Sequence, residues 1–164
     1  IDVREGMGGS TFSTVQLEIA ESEGEAGQQF EMQASQLLEL DRLGFEAPER
    51  VPLVTIGYLI AQKLHACTDH SDLDRVNDRF RDLIDLQLVE DALDDDETLR
   101  STAAACREIF ELRDKHDWPP IVEVVAGWEE GYRKMARDMK FEPDDVHEAA
   151  RRVATIIARI DAVT

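Results

Sequence analysis

Two hydrophobic periods divide the chain. From Phe12 to Ala20 the positions alternate, with Val15, Leu17 and Ile19 on one face and Thr14, Gln16 and Glu18 on the other, which is the period of a half-buried strand. An acidic, glycine-containing gap follows from Glu21 to Gly27, and then Phe30, Met32 and Ala34 alternate again as a weaker strand. Residues 37–53 hold Leu37, Leu38, Leu40, Leu43 and Phe45, interrupted by Gly44, Pro48 and Pro52, and are expected to form a short helical turn plus a linker.

Beyond residue 54 the period changes to that of amphipathic helices. Thr55 is placed to cap a helix with Ile56, Leu59, Ile60, Lys63, Leu64 and Cys67 at three-four spacing. Ser71 to Asp74 offer caps for a second helix that runs to about Glu90. Asp94, Asp95, Asp96 and Glu97 put negative charge at the start of a third, which suits the helix dipole, and Leu99, Ala103, Cys106 and Phe110 form its apolar stripe. Trp118, Pro119 and Pro120 break that helix. A fourth carries Trp128, Tyr132, Met135 and Met139, and a fifth, with Pro143 near its first turn, carries Val146, Ala150, Val153, Ile157 and Ile160. Five such helices with short connections predict a bundle. The expected fold class is therefore α+β and mostly α, with a strand-containing segment over residues 1–53 and a helical bundle domain over 54–164.

Composition adds constraints rather than elements. Across 164 residues, 36 Asp and Glu stand against 18 Lys and Arg, for a formal net charge of −18. A surface so acidic repels phosphate backbones on average, so any role with nucleic acid requires a local basic site. Two cysteines, Cys67 and Cys106, do not make a disulfide scaffold in a chain of this size. No apolar run is long enough to span a membrane and the start lacks a secretory pattern, so a cytoplasmic location is expected. The chain opens on Ile1 with polar, Gly-rich text, which suggests a sequence entered partway through.

Against this background Lys63 is out of place, because it lies in the middle of an apolar stripe. It either snorkels from the edge of that stripe or holds an ammonium at the wall of a cleft to meet phosphate or carboxylate. The second helix is dense in charge, with Asp78, Arg79, Arg81, Asp82 and Asp85 around an apolar face. At roughly 100° per residue, Arg79 and Asp82 interleave with Leu83, Leu86 and Val89, whereas Arg81 and Asp85 fall elsewhere. Taken alone, these charges are ordinary i,i+3 and i,i+4 ion pairs such as Asp78 with Arg81. Glu18 suits a metal ligand only if further carboxylates lie on an adjacent strand. His65, Cys67, Asp69 and His70 crowd together but match no usual zinc spacing. Gly9 and Ser10 followed by Glu21 and Glu23 imitate a glycine-serine turn with paired acids, but on a loop rather than a rigid strand.

Ile60, Ala61, Gln62, Lys63, Leu64, His65 and Ala66, followed by Asn77, Asp78, Arg79, Phe80, Arg81, Asp82, Leu83, Ile84, Asp85 and Leu86, resemble the paired motifs of the AbiEii/AbiGii-type nucleotidyltransferase toxin family. That family's usual text is Ala-Glu-Lys-Leu-x-Ala on one helix and Arg-x-Lys-Asp-Leu-x-Asp-Leu on the next. Residues 12–19 resemble its strand with the third carboxylate, residues 43–52 its connector, and Phe110, Arg113, Trp128 and Tyr132 its later helices. The resemblance implies a polymerase-β-like nucleotidyltransferase lobe joined to a helical lobe, with Mg²⁺ and a nucleoside triphosphate between them. It also implies a toxin–antitoxin or phage-defence setting, transfer to an RNA acceptor such as the 3′ end of tRNA, and a cognate antitoxin as partner. By position, Asp82 and Lys63 would be catalytic, Lys63, Arg79 and Arg81 would bind nucleotide, and Glu18 would be the metal carboxylate. Phosphoryl transfer relies on positioning and charge neutralisation, which is what a Lys and an Arg–Asp pair can supply.

The sequence departs from the family pattern in three places. The Gly-Ser turn and Asp-x-Asp strand expected before Glu18 are absent, so the chain by itself is expected to be inactive. Glu18 stands where the family commonly has Asp, and Arg81 where it commonly has Lys, which keeps charge but changes donor geometry. The alternative to an enzyme is a non-catalytic helical protein-interaction module whose charges are structural.

Overall fold

A computed structural model describes residues 2–4, 11–14, 23–34, 49–71 and 78–163. Two short antiparallel ladders precede the helices. Strand β1 (Asp2–Arg4) pairs with β2 (Thr11–Thr14), and β3 (Phe30–Ala34) pairs with β4 (Arg50–Val54) in the register Phe30↔Val54, Met32↔Pro52 and Ala34↔Arg50. Both sheets have two strands. The expected strand at Phe30–Ala34 is present, while β4 lies where a linker was expected. Pro52 does not end it, because a two-stranded ladder leaves each strand one open side, and a proline fits where no partner needs its missing N–H. Of the strand expected from Phe12 to Ala20, residues 12–14 lie in β2, and the remainder, with Glu18, lies outside the described residues.

Among the described residues five α-helices predominate: α1 (Ile56–Thr68), α2 (Phe80–Leu88), α3 (Asp96–Arg113), α4 (Trp128–Met139) and α5 (Val146–Asp161). Thr55 occupies the N-cap of α1 in extended geometry. Asp95 caps α3 by accepting from the Thr98 amide at 2.7 Å, and Asp145 caps α5 by accepting from Glu148 at 2.8 Å. Helix α3 ends at Arg113, short of the Trp118–Pro120 break, because Asp114 turns left-handed at φ 47° and its amide bonds back to Phe110. Helix α2 starts later than expected. Asp78 and Arg79 precede it in tight turns whose carbonyls accept from Arg81 and Asp82, and Glu90 belongs to a 3₁₀ segment (Glu90–Asp94).

One apolar core joins the helices. Ile60, Leu64, Leu83, Leu86, Ile109, Trp128, Tyr132, Val153, Ile156 and Ile160 are almost wholly buried, each side chain of this kind stabilising the fold by about 1.5–3 kcal/mol. Helix α1 packs most extensively on α3, and Gly57 permits this: a Cβ there would lie 3.2 Å from the Thr102 Cα. Helix α2 sits against α1, α4 and α5. On α4 the buried stripe is Trp128, Tyr132 and Ala136; Met139 has the right angle but sits on the last turn, half exposed. Among the described residues no helix is long and apolar enough to cross a membrane.

Candidate functional site

Lys63 leaves the apolar stripe of α1 toward α2. Its Nζ donates to Asp82 Oδ1 at 3.0 Å and to Asp85 Oδ2 at 2.6 Å, across 19 and 22 residues of sequence. The lysine side chain is one-quarter exposed, that of Asp82 only 9% and that of Asp85 44%, so the cation bridges an inner and an outer carboxylate. Arg79 approaches the second Asp82 oxygen, Oδ2, at 3.5 Å. Burial alone would depress the Lys63 amine, but the hydrogen bonds to Asp85 and Asp82, with their charge, outweigh it and hold the ammonium form more firmly than usual.

The helix geometry explains this convergence. Asp82 and Asp85 are three residues apart on α2, which puts both carboxylates on neighbouring faces of one turn toward α1. The expectation that Asp85 falls elsewhere is therefore corrected: it is the outer anchor of Lys63. The signal for it was the Asp-x-x-Asp spacing itself. Arg81 stands apart from this network, paired with Asp78 at 3.3 Å, with its guanidinium 6.0 Å from the centre of the Phe80 ring. Thus Lys63, Asp82 and Arg79 are brought together, Arg81 lies on the adjacent exposed rim, and Glu18 lies outside the described residues. Cys67 is buried behind this network, its Sγ donating to the Leu64 carbonyl. Burial, with the nearby Asp82 charge, pushes its thiol up to about 12, and both cysteines are free and buried.

A second charged cluster occupies the other side of α1. Arg113 from α3 forks onto both oxygens of Glu23 at 2.5 and 2.6 Å and also donates to His65 Nδ1 at 3.2 Å. The ring of His65 packs against Phe110 and His116, at centroid distances of 4.9 and 4.6 Å. Burial, then the Arg113 charge, lowers the His65 pKa to about 4, so the ring is neutral. The Arg113 bond holds the lone pair on Nδ1. Glu23 and Arg113 are 90 residues apart, and nothing in the local sequence pairs them.

The Lys63 cluster offers an ammonium with a third N–H beyond its two carboxylate bonds, beside an arginine and a nearly buried acid. Such a group can meet a phosphate oxygen without releasing Asp82. Among the described residues no three His, Cys, Asp or Glu side chains come together to hold a metal ion, and Asp82 and Asp85 are both engaged with Lys63.

The sequence model of one family, described as nucleotidyl transferase AbiEii toxin of the type IV toxin–antitoxin system, matches residues 2–159. No curated protein matches the chain.

Proposed function

Because the chain belongs to the AbiEii family of nucleotidyltransferase toxins of type IV toxin–antitoxin systems, we propose that its α1–α2 face binds the nucleoside triphosphate for transfer of a nucleoside monophosphate to RNA. The observation that carries this reading is the Lys63 ammonium held between Asp82 and Asp85. The acceptor is the 3′ end of tRNA, whose hydroxyl oxygen bonds to the α-phosphorus while the bond to the leaving pyrophosphate breaks. Charge builds on the phosphate oxygens during that exchange, and a pre-positioned cation stabilises it without having to reorganise.

Lys63 and Asp82 are the catalytic pair in this account. Lys63 reaches a phosphate oxygen with its free N–H, and Asp82 fixes the lysine and faces Arg79, keeping both cations aimed at the same place. Arg79 and Lys63 bind the triphosphate directly. Arg81 meets phosphate from the rim, after leaving Asp78. Mg²⁺ is proposed as the ion that accompanies the triphosphate, with Glu18 as its carboxylate, and no step here depends on it. The same proposal assigns residues 1–53 to the nucleotidyltransferase lobe and 54–164 to the helical domain, names a cognate antitoxin as partner, and places the protein in the cytoplasm.

The test incubates the full-length protein with labelled nucleoside triphosphates, Mg²⁺ and total tRNA. Lys63→Ala and Asp82→Ala should each lower labelling by about 100-fold or more, the usual cost of losing a group that stabilises transition-state charge. Labelling unchanged by both substitutions would overturn the assignment.

A further inference from the structure

We infer that the outer face of α4 is the surface along which the acceptor RNA lays its phosphate backbone, a conclusion that rests on the transfer reading above and extends it. The chain is strongly acidic overall, yet Arg133, Lys134, Arg137 and Lys140 fall within one stretch of eight residues, and all four are exposed. At roughly 100° per residue, Arg133, Lys134 and Arg137 share the side of the helix opposite to the buried Trp128, Tyr132 and Ala136. These cations are not spent on neighbours. Arg133, Lys134 and Lys140 have no ion-pair partner among the described residues, although Glu130 stands at the three- and four-residue spacing that normally pairs. Arg137 is held only by Asp144 at 3.3 Å, with both side chains exposed.

Arg133, Lys134 and Arg137 line, with Glu130 and Asp138, an open cleft of about 300 Å³. From Arg133 to Arg137 the helix rises about 6 Å. A nucleic-acid strand places one phosphate per about 3.4 Å of axis, so the stripe meets two successive phosphates. The position relative to the candidate site strengthens the case. The Phe80 ring, between Arg79 and Arg81 in sequence, lies so close to α4 that a Cβ at Gly131 would fall 2.6 Å from it. Gly131, half-buried on the flank of α4, therefore adjoins the first turn of α2. Lys134 lies one turn along from Gly131 and about 60° around the helix, so the line from Arg79 and Arg81 to the outer-face cations passes over that flank. A backbone with its 3′ end at Lys63 can follow that line, whereas an acidic surface elsewhere repels it.

The test measures binding of total tRNA to the full-length protein over a series of salt concentrations. It compares the wild type with the triple variant Arg133→Gln, Lys134→Gln, Arg137→Gln. A second triple, Arg100→Gln, Arg151→Gln, Arg152→Gln, removes the same charge from other exposed positions. The α4 triple should bind about tenfold or more weakly, and the slope of log affinity against log salt should fall by about 1.4, as two lost single-strand phosphate contacts require. The second triple should stay near wild type.

Equal weakening by the two triples, or none by either, would overturn the α4 assignment while leaving the nucleotide site untouched if labelling still depends on Lys63. A wild type that binds no tRNA would overturn the assignment too, and Lys63-dependent labelling of another acceptor would show that only the choice of RNA had failed. Loss of antitoxin binding by the α4 triple, with tRNA binding intact, would give the face to a protein and also overturn the proposal.

Discussion

Lys63 and His65 stand two residues apart on α1, and each anchors a charged cluster, but the clusters are built on opposite terms. Around His65 the charged groups satisfy one another: Arg113 uses its fork on both Glu23 oxygens and a further N–H on the imidazole, with Phe110 packed against the ring, while the buried Nε2–H of His65 has no hydrogen-bond partner among the described residues. Around Lys63 there is surplus. Two carboxylates share one ammonium, its third N–H has no partner among the described residues, and an arginine sits at ion-pair distance from an acid that is almost buried. The difference teaches that a dense patch of charge does not by itself mark chemistry. A closed set holds the fold together, whereas an open set at the edge of the core can exchange a partner for a ligand.

The largest effect that would break this contrast concerns Arg113. Replacing it with Ala leaves Glu23 and His65 Nδ1 without their donor and should lower stability by about 2–3 kcal/mol, the range for stranding half-buried polar groups. Chemical denaturation of the purified protein measures it; a loss no larger than that of an exposed arginine would mean the cluster is not structural.

A pH titration of stability comes next in size. His65 titrates at about 4 in the fold against an ordinary value near 6.5, so the unfolded chain binds the proton first and stability falls as pH drops from about 6.5 toward 4. Each unit of separation corresponds to about 1.4 kcal/mol, so the His65-dependent loss should exceed about 1 kcal/mol. Glu23, held below the ordinary carboxylate range by its hydrogen bond with Arg113, adds stability at neutral pH that is lost in the same direction at lower pH. In His65→Gln the slope between pH 6.5 and 4 should flatten, and an unchanged slope would assign it to other groups.

The smallest effect separates two arginines. Arg79→Ala should raise the KM for nucleoside triphosphate by roughly tenfold, because Arg79 faces Asp82. Arg81→Ala, which removes an exposed pair with Asp78, should change it by roughly twofold. The reverse order would move the nucleotide to the Phe80 rim.

Much of this architecture was legible from local patterns. Three-four spacing located the five α-helices of the described residues, and Asp95 and Asp145 sit where a carboxylate can take an orphan amide. The start of α2 was misjudged because Ser71 to Asp74 have good cap chemistry, while the turn that actually leads in uses the carbonyls of Asp78 and Arg79. Strand β4 was hidden by Pro52, a breaker only in a strand bonded on both sides. In the candidate site Lys63 betrayed itself as a cation among apolar positions. Asp85 was assigned to the wrong face, since a helical wheel gives angles but not the neighbouring helix toward which a long lysine leans. The Arg113–Glu23 pair joins residues 90 apart, and only the fold brings them together.

The most direct test places one substitution in each cluster and reads two quantities on both proteins: labelled nucleotide transfer to tRNA per folded molecule, and the melting temperature. Asp82→Asn keeps the shape and removes the charge, while Arg113→Ala opens the closed cluster. The account predicts that Asp82→Asn loses transfer by about 100-fold with little change in melting, and that Arg113→Ala melts several degrees lower yet transfers normally once folded. Full transfer by Asp82→Asn, with transfer abolished in folded Arg113→Ala, would contradict it.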